Sequence, residues 1–584
     1  MINSIKKPLA ATFLPMSRDE MNRLGWTDLD VLLITGDDYF DHHSHGTALI
    51  GRVLLNAGYR TGIICRPDWK NPDSLKIMGA PLLYVGISGG AVDSTLNNYT
   101  ADLAPRKKDQ YAAEGYTIAR PNLATGVYCG LAKGTFPKTP VVLGGIEASS
   151  RRFAYYDYLK KSIRRSILVD TRVSILVFGQ GEYQAVEIAK RAEANKPLNG
   201  IKGTALLKKS LDEIQKETFI ELPDYKKIDG YPSKLITQTS MIEKEMGPFK
   251  ERGFYQKYEE GFLVCEPPWI PDTKELDEIF SLPFSRNIHP AYKNRTIPAF
   301  ETVKWSITSL RGCPGGCSFC SISAHQGRMV TSRSEESILK EVDKLIKHKA
   351  FKGTISDVGG PTANAYGIEL KESERCAGCK RSSCFYPKIC RNIKDGQDKY
   401  IELLSKIRKF EQVKHLFIAS GIRHDLALKN HKFIEVLAKF YTGGHLKVAP
   451  EHSSNNVLKL MRKPAIEIME EFETIFLEIS KKQNKPQYLV PYFISGFPGC
   501  TKNDGDHAGN WLKKRNQSLE QVQNFIPLPG TMAAAMYAAE MDENKNSLYI
   551  PDAKERKRQK SLLVEKPGRT IYKHKKDFKK RHNG

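Results

Sequence analysis

Short apolar runs that alternate with helical patterns constrain the fold of this chain more than any other feature of its sequence. Residues 30–35 predict a buried strand, residues 47–57 predict a helix closed by Gly58, and residues 60–65 predict a second strand. Further apolar runs at residues 82–87, 141–143 and 175–178 extend this βαβ unit. The sequence therefore predicts an α/β fold that begins, over residues 1–200, with a doubly wound parallel sheet whose ligand lies at the carboxyl ends of the strands.

A second set of six apolar runs lies between residues 300 and 530. The first helix among them is predicted to start at the N-cap Ser334, and its apolar face is formed by Ile338, Val342, Leu345 and Ile346. Repeated βα units form an open sheet or a barrel, and six units favour a partial (β/α)6 barrel with its site at the C-terminal ends of the strands. The six runs are residues 305–310, 353–358, 415–420, 446–449, 488–494 and 522–528.

The rest of the chain is predicted to be a connector and a tail. At 584 residues, with roughly 100 to 200 residues per domain, we expect about three units. Residues 201–299 are rich in Lys and Pro and are interpreted as a connector, with a short strand candidate at 261–265. Residues 531–584 are interpreted as a basic C-terminal extension, because 13 Lys and Arg stand against 3 Asp and Glu from Lys554 to Gly584. Such a tail is either a solvated extension or a contact for nucleic acid.

The sequence also indicates a compartment. No run approaches the roughly 18 apolar residues of a membrane helix, and the first residues lack the apolar block of a secretory signal. We therefore expect a cytoplasmic protein that does not contact a membrane and whose thiols are reduced. Its 11 cysteines are then metal ligands or reactive thiols before they are disulfides, and seven of them lie between Cys313 and Cys390.

Three of these cysteines follow the first strand of the predicted barrel. Cys313, Cys317 and Cys320 lie in the Gly-rich stretch RGCPGGCSFC, and their spacing lets three thiols converge on one small metal cluster. Zinc would normally recruit a fourth protein ligand, whereas an iron–sulfur cluster held by three thiolates leaves one iron open. The stretch therefore predicts chemistry at an open iron.

Four more cysteines form a second set after the second barrel strand, in a Cys-rich insertion at residues 371–395 that we expect above the barrel mouth. Four thiols are a complete set for structural zinc or for an auxiliary iron–sulfur cluster, and both alternatives stay open. The set consists of Cys376, Cys379, Cys384 and Cys390.

The C-x3-C-x2-C stretch, with Phe319 before its last cysteine, resembles the signature of the radical S-adenosylmethionine (SAM) enzymes. The resemblance implies that Cys313, Cys317 and Cys320 hold a 4Fe-4S cluster whose fourth iron is chelated by the amino and carboxylate groups of SAM. It implies reductive cleavage of SAM to methionine and a 5′-deoxyadenosyl radical, and an electron donor of the flavodoxin or ferredoxin type. Phe319 is expected against the cluster or the adenine.

Further stretches of the barrel resemble SAM-contacting motifs of this superfamily. Gly359 and Gly360 stand where the superfamily has a Gly-Gly-Glu motif; Pro361 replaces the acid, so backbone carbonyls are expected to meet the SAM amino group. Residues 448–452, 494–501 and 525–531 are similar to strand-end motifs of radical SAM methylthiotransferases. Glu451 is assigned to SAM on that resemblance, and Arg423 and His452 are further polar candidates near strand ends.

Over nearly its full length the chain is similar to the YgiQ-type family of radical SAM proteins. The stretches that carry this likeness are DDYFDHHSHG, GGIEASSRRFAYYDY, CSFCSISAHQGR and DVGGPTANAYG. The resemblance implies cofactor chemistry and leaves the substrate open.

The first stretch also fits the D-x-H-x-x-G pattern of cobalamin-binding domains. Asp41, His43 and Gly46 supply the pattern between the first strand and the first helix, and in such domains the histidine coordinates cobalt. Radical SAM methylases with this domain also bind cobalamin without a histidine ligand, and YgiQ-type relatives commonly have Pro at the position of His43. Cobalamin bound by His43 and an inherited fold that serves another ligand are therefore both open.

The leading prediction is a radical SAM enzyme that acts on RNA or the ribosome, because of the basic tail and the methylthiotransferase-like strand ends. One alternative is a cobalamin-dependent radical SAM methylase of a small molecule. Another is a non-catalytic iron–sulfur protein that binds nucleic acid.

Overall fold

The computed structural model describes residues 6–115, 120–519 and 522–564. The predicted doubly wound sheet is confirmed: its first five strands run parallel in the spatial order β2-β1-β3-β4-β5. All five residues of β1 are buried, as expected for a parallel strand covered on both faces. The strands are β1 (Val31–Thr35), β2 (Thr61–Cys65), β3 (Tyr84–Ser88), β4 (Val141–Gly144) and β5 (Ile175–Val177).

The chain order reverses between β1 and β3, so the carboxyl ends of these strands flank the crevice where sheets of this kind bind ligands. The predicted helix after β1 spans Gly46–Asn56, and Gly58 follows it with a φ of +84°. Other helices of this part are Arg18–Arg23, Ser94–Asn98, Ala124–Thr135, Gly145–Ser150, Ile167–Thr171 and Glu182–Glu193, with a 3-10 turn at Pro72–Met78.

The segment interpreted as a connector adds four strands to the same sheet, which has nine strands. Beyond β5 the spatial order is β6-β9-β8-β7, with antiparallel pairing except between β7 and β8. These strands are β6 (Thr204–Lys208), β7 (Phe219–Glu221), β8 (Gly253–Tyr258) and β9 (Gly261–Cys265). The helices of this segment are Tyr225–Gly230, Ser233–Glu245, Thr273–Ser281 and Pro298–Val303.

Six strands of the second half pair side by side in chain order as a partial barrel. Parallel ladders join β10 to β11, β13 to β14 and β14 to β15. Thr354–Ile355, just before β11, pairs with β12, and a bridge from Ile422 to Val448 leads on to β13. The strands are β10 (Ser306–Thr308), β11 (Asp357–Gly359), β12 (His415–Leu416), β13 (His445–Glu451), β14 (Tyr488–Ser495) and β15 (Gln523–Asn524).

Helices cover the outside of the barrel. The predicted first helix spans Glu335–Ile346; Ser334 caps it by accepting from Ser337 N, and Ile338, Val342 and Leu345 are buried. The others are Gln397–Ile407, His431–Val436, Asn455–Met461, Ile466–Lys482 and Lys502–Lys514.

The C-terminal extension begins as part of the barrel. The helix Met532–Ala539 is largely buried, and Ala553–Leu563 packs against the helix Lys502–Lys514. The rest of the predicted basic tail, residues 565–584, lies outside the described residues. In the described part of the chain, no helix is both long and apolar enough to cross a membrane.

Candidate functional site

The three-cysteine loop joins β10 to the helix Ser321–Gln326 and is anchored to the barrel on several sides. The Ser318 hydroxyl donates to the Leu460 carbonyl at 2.7 Å, and Arg462 Nη1 donates to the Gly316 carbonyl at 3.3 Å. Gly316 has a φ of +59°, and a Cβ there would lie 2.3 Å from the Ser382 carbonyl oxygen. Only glycine fits this position, so the loop conformation is fixed by its sequence.

The loop brings its thiols together. A Cβ on Gly315 would lie 3.3 Å from Cys313 Sγ and 3.8 Å from Cys317 Sγ, so both sulfurs turn to the inside of the loop. Burial, with added repulsion from the other two thiols, raises the pKa of Cys320 to about 12. Burial also raises the pKa of Cys313. The thiols of Cys313 and Cys320 therefore resist ionisation unless a cation compensates, and a metal cluster would supply that positive charge.

Arg423 is the cation closest to these thiols. Its Nη1 lies 4.0 Å from Cys317 Sγ, and its guanidinium makes a two-pronged ion pair with Asp425. The same guanidinium lies 4.8 Å from the ring centre of Phe385. Of the polar candidates near the strand ends, Arg423 is thus the one that the structure places beside the three cysteines.

Phe319 lies on the side of the loop that faces the β14 end of the barrel. Its ring meets Phe497 edge-on, with 6.4 Å between ring centres, and Phe497 in turn contacts Phe525 after β15. The aromatic residue of the loop is therefore joined to two of the strand-end stretches named above.

Gly359, the last residue of β11, and Gly360, which follows it, differ in their surroundings. The Gly359 carbonyl accepts hydrogen bonds from Ser309 N at 2.7 Å and from the Ser309 hydroxyl at 3.2 Å. Gly360 and Pro361 line a cavity. The backbone of Gly360 is thus nearer to open space than the carbonyl of Gly359.

Glu451 and His452 end β13 in different environments. Glu451 has a φ of +74°, an unusual conformation for a side chain of this size. Its carboxylate is 3.9 Å from Lys463 Nζ, and burial raises its pKa although Lys463 opposes the shift. His452 Nδ1 accepts from Ser454 N, and its Nε2 lies 3.5 Å from Cys500 Sγ. Both ring nitrogens of His452 are therefore engaged within the protein.

The second cysteine set lies directly against the first loop. Cys384 N donates to the Pro314 carbonyl at 2.9 Å, and the Ser383 hydroxyl donates to the Gly315 carbonyl. Burial raises the pKa of Cys384 to about 11; Arg328 opposes this shift and the other three thiols add to it. In the ranges that the structure describes, no three Cys, His, Asp or Glu side chains are arranged around a single metal ion. Metal binding by both sets stays a prediction.

The D-x-H-x-x-G residues are held in internal ion pairs. Asp41 accepts from Arg52 Nε at 2.9 Å, from Tyr39 Oη and from Ser285 N. Asp41 therefore forms its ion pair with Arg52, and His43 contacts other residues.

His43 lies where the N-terminal sheet meets the barrel. Its Nε2 is 3.2 Å from Glu341 Oε1 and 3.2 Å from Arg286 Nη2, and its Nδ1 is 3.4 Å from Thr308 Oγ1. Burial lowers the pKa of His43 to about 4. Arg52, Arg286 and Glu341 are functional neighbours that sequence analysis missed, because single charged residues far apart in the chain leave no local pattern.

A cavity of about 550 Å³ opens between the carboxyl ends of β1, β3, β4 and β5 and the start of the barrel. The glycine-rich ends of these strands line it, as the sequence predicts for the ligand side of the sheet. It continues along the sheet face between the helices Gly46–Asn56 and Glu182–Glu193, where Leu33, Ile50 and Ala185 line it.

The barrel side of the cavity is polar. Arg311 Nη1 donates to Gln180 Oε1 and to Glu182 Oε1, both at 2.6 Å, across the junction of the two halves. His325 Nδ1 is 3.1 Å from Ser149 Oγ, and burial lowers the pKa of His325 to about 4. The cavity is therefore shared by the sheet and the barrel.

Known proteins resemble this chain over most of its length. The family described as Radical SAM N-terminal matches residues 13–306, and the Radical SAM superfamily matches residues 307–512. A protein of Methanosarcina acetivorans named UPF0313 protein is 41% identical over 583 residues, which cover 95% of this chain and 78% of the relative. A UPF0313 protein of Thermotoga neapolitana is 44% identical over 542 residues, covering 91% of this chain and 94% of the relative.

A solved structure shares the fold. The radical S-adenosylmethionine methyltransferase TsrM from Kitasatospora setae, solved with tryptophan substrate and a SAM analogue bound, superposes with a TM-score of 0.51 at 13% identity. The match covers 92% of this chain and 89% of the other. This likeness extends over both the N-terminal sheet and the barrel.

Proposed function

This chain belongs to the UPF0313 family, the YgiQ family of radical SAM proteins, and on that basis we propose that its three-cysteine loop binds a 4Fe-4S cluster and SAM. The radical SAM domain supports an enzyme. When bound and reduced, the cluster supplies the electron that splits SAM into methionine and a 5′-deoxyadenosyl radical, which abstracts hydrogen from the substrate.

One observation carries the proposal: the anchored loop turns Cys313 and Cys317 inwards around Gly315, with Arg423 beside them. Three thiolates complete three of the four positions of such a cluster, and the fourth is left for a ligand that is not protein. Arg423 remains protonated and offsets part of the negative charge that the thiolates and an added electron bring.

We assign the SAM-binding role to residues around this loop. Phe319, with Phe497 behind it, offers an aromatic surface for the adenine. Gly360 presents backbone on the cavity side, and Gly359 supports β10 through Ser309. Glu451 is held in a strained conformation at a strand end, which is typical of residues that contact a ligand.

The test is anaerobic turnover of the reconstituted full chain with SAM and dithionite. Wild type is expected to form 5′-deoxyadenosine, and the Cys313→Ala, Cys317→Ala, Cys320→Ala variant is expected to form none. The matched control replaces Cys65, Cys129 and Cys265, three cysteines outside both sets, by Ala and should retain the activity. A wild-type protein with a full cluster and no 5′-deoxyadenosine would favour a non-catalytic iron–sulfur protein.

The cavity at the sheet edge favours a second cofactor or the substrate at this place. Glycines line the cavity at the strand ends, and apolar side chains line it along the sheet face, which suits cobalamin. Both ring nitrogens of His43 already have protein partners, so we expect the cofactor to bind without a histidine ligand. Such a cofactor would favour the alternative of a cobalamin-dependent radical SAM methylase of a small molecule. Reconstitution with hydroxocobalamin and gel filtration tests this, and colourless protein would exclude it.

RNA or the ribosome is the proposed substrate class, and its support is the basic segment after Lys554. Binding through this segment should weaken steeply with salt and should be lost on truncation after Val564. Affinity for RNA that survives truncation and does not depend on salt would contradict this substrate class.

A further inference from the structure

The insertion that carries the second cysteine set is strongly basic. Residues 371–395 contain seven Lys and Arg against two Glu and one Asp. Four exposed cations of this stretch make no ion pair within the described part of the chain; they are Lys371, Lys380, Lys388 and Arg391. An uncompensated positive surface of this kind attracts an acidic partner and accelerates its docking.

Two thiols of the insertion accept hydrogen bonds from N–H groups, as thiolates bound to a metal would. Asn392 Nδ2 donates to Cys376 Sγ at 3.2 Å, and Arg381 N donates to Cys379 Sγ at 3.4 Å. Cys390 N donates to the Cys384 carbonyl at 2.8 Å, which folds the last two cysteines towards each other. The backbone thus presents all four cysteines from one loop of 15 residues, 376–390.

One N–H group of a buried arginine beside this loop has no acceptor among the described residues. Arg328 is 4% exposed and lies next to Cys384 and Cys379. Its Nη2 donates to the Glu243 carbonyl, but its Nε is buried without a hydrogen-bond partner among the described residues. A buried guanidinium N–H without a partner is costly, and an anionic centre held by the four thiolates would satisfy its charge.

The insertion and the three-cysteine loop are in direct backbone contact. The Cys384 amide and the Ser383 hydroxyl donate to the carbonyls of Pro314 and Gly315, two residues that lie between Cys313 and Cys317. Phe385 lies under Arg423, which is also beside Cys317. A centre in the insertion would therefore be the neighbour of the proposed SAM-binding cluster.

We propose that Cys376, Cys379, Cys384 and Cys390 bind a second iron–sulfur cluster through which an acidic one-electron carrier, docked on the four exposed cations, reduces the cluster of the three-cysteine loop. The inference rests on the proposed function. Four protein thiolates leave no iron open, so the second cluster relays electrons and does not bind SAM. Zinc in the same set would carry no electron, because it has no redox chemistry.

The relay moves one electron at a time and no atoms. The carrier is oxidised by one electron, the second cluster is reduced and reoxidised, and the cluster of the three-cysteine loop is reduced by one electron. The electron then enters SAM cleavage as already described.

The first experiment measures metals in the full chain after anaerobic reconstitution. The Cys376→Ala, Cys379→Ala variant is expected to lose half of the iron and sulfide of wild type, and neither protein should contain zinc. The Cys129→Ala, Cys265→Ala variant is the matched control and should keep the wild-type iron. Stoichiometric zinc in wild type, or equal iron in wild type and variant, would overturn the second cluster while leaving the proposed function intact. Absence of iron after replacing only Cys313, Cys317 and Cys320 would overturn it too.

The second experiment measures electron entry by stopped-flow reduction with reduced flavodoxin, an acidic carrier. Replacing Lys371, Lys380, Lys388 and Arg391 by Glu should slow reduction by at least about tenfold and remove its acceleration at low salt. The control reverses four exposed Lys at the opposite end of the barrel: Lys349, Lys352, Lys409 and Lys414. Reduction by methyl viologen, which is cationic and needs no basic surface, serves as the reference rate. Equal slowing in both variants, or none in either, would refute docking at the insertion.

Discussion

Replacing Glu341 by Gln should destabilise the protein strongly, because this carboxylate is the shared anionic partner of two arginines in a buried cluster at the junction of the two halves. It pairs with Arg286 and Arg333 and lies 3.2 Å from His43 Nε2. Arg286 and Arg333 are 7% and 2% exposed, so the variant leaves two buried guanidinium groups without a counter-charge.

The expected cost is about 3–5 kcal/mol, the usual effect of removing one partner of a buried ion pair. The matched control is Glu336→Gln on the same helix, whose pair with Lys340 is 76% and 71% exposed and should therefore contribute little to stability. The assay is urea unfolding followed by circular dichroism, with the midpoints of the three proteins compared. A Glu341→Gln midpoint equal to that of the control would refute the reasoning.

The difference in stability between wild type and Glu341→Gln should decrease as the pH falls. Although burial opposes its ionisation, Arg333 and Arg286 hold the pKa of Glu341 well below its ordinary value of 4.5. A carboxylate whose pKa is depressed by folding stabilises the protein above its unfolded pKa, and that stability is lost as the pH falls. The difference in the free energy of unfolding between wild type and Glu341→Gln should therefore be largest at neutral pH and decrease below about pH 4.5. A gap that grows on acidification would contradict this sign.

Three further outcomes are expected. Gly316→Ala should lower the iron content without unfolding the barrel, since its Cβ would meet the Ser382 carbonyl; iron per chain and circular dichroism check this. Arg423→Met should make the reduction potential of the cluster more negative, because a positive charge beside Cys317 is removed. Arg408→Met removes a cation stacked on the ring of Phe440 and should leave the potential unchanged. A redox titration followed by electron paramagnetic resonance measures both potentials. His43→Ala should leave any cobalamin spectrum unchanged, and a changed cobalt band would restore the histidine as a ligand.

Local patterns were sufficient to predict the parallel strands and their helices. β1 and the helix Glu335–Ile346 follow from an apolar run, an N-cap and a period of 3.6 residues. The strands from Thr204 to Cys265 are partly exposed and pair antiparallel except between β7 and β8. Polar residues therefore interrupt their apolar pattern, and only β9 is predicted from the sequence. Their place in the sheet depends on long-range pairing.

The same limit applies to the site. The spacing of Cys313, Cys317 and Cys320 within one loop is visible in the sequence, and so is the strand that precedes it. The contacts of Arg462 with Gly316 and of Glu341 with His43 join residues more than a hundred positions apart, so no local sequence motif predicts them. The D-x-H-x-x-G pattern is present in the sequence, but it does not predict that its aspartate, Asp41, forms an ion pair with Arg52.

The cavity between the sheet and the barrel also limits how a large substrate can react. Its volume of about 550 Å³ is that of an ordinary small-molecule site, and the Arg311–Glu182 and Arg286–Glu341 pairs hold its two walls together. A folded RNA or a ribosome cannot enter such a space whole. It must extend one nucleotide or one side chain into it, as enzymes that flip a base out of its stack require, so reactivity should favour ends, bulges and unpaired loops over continuous duplex.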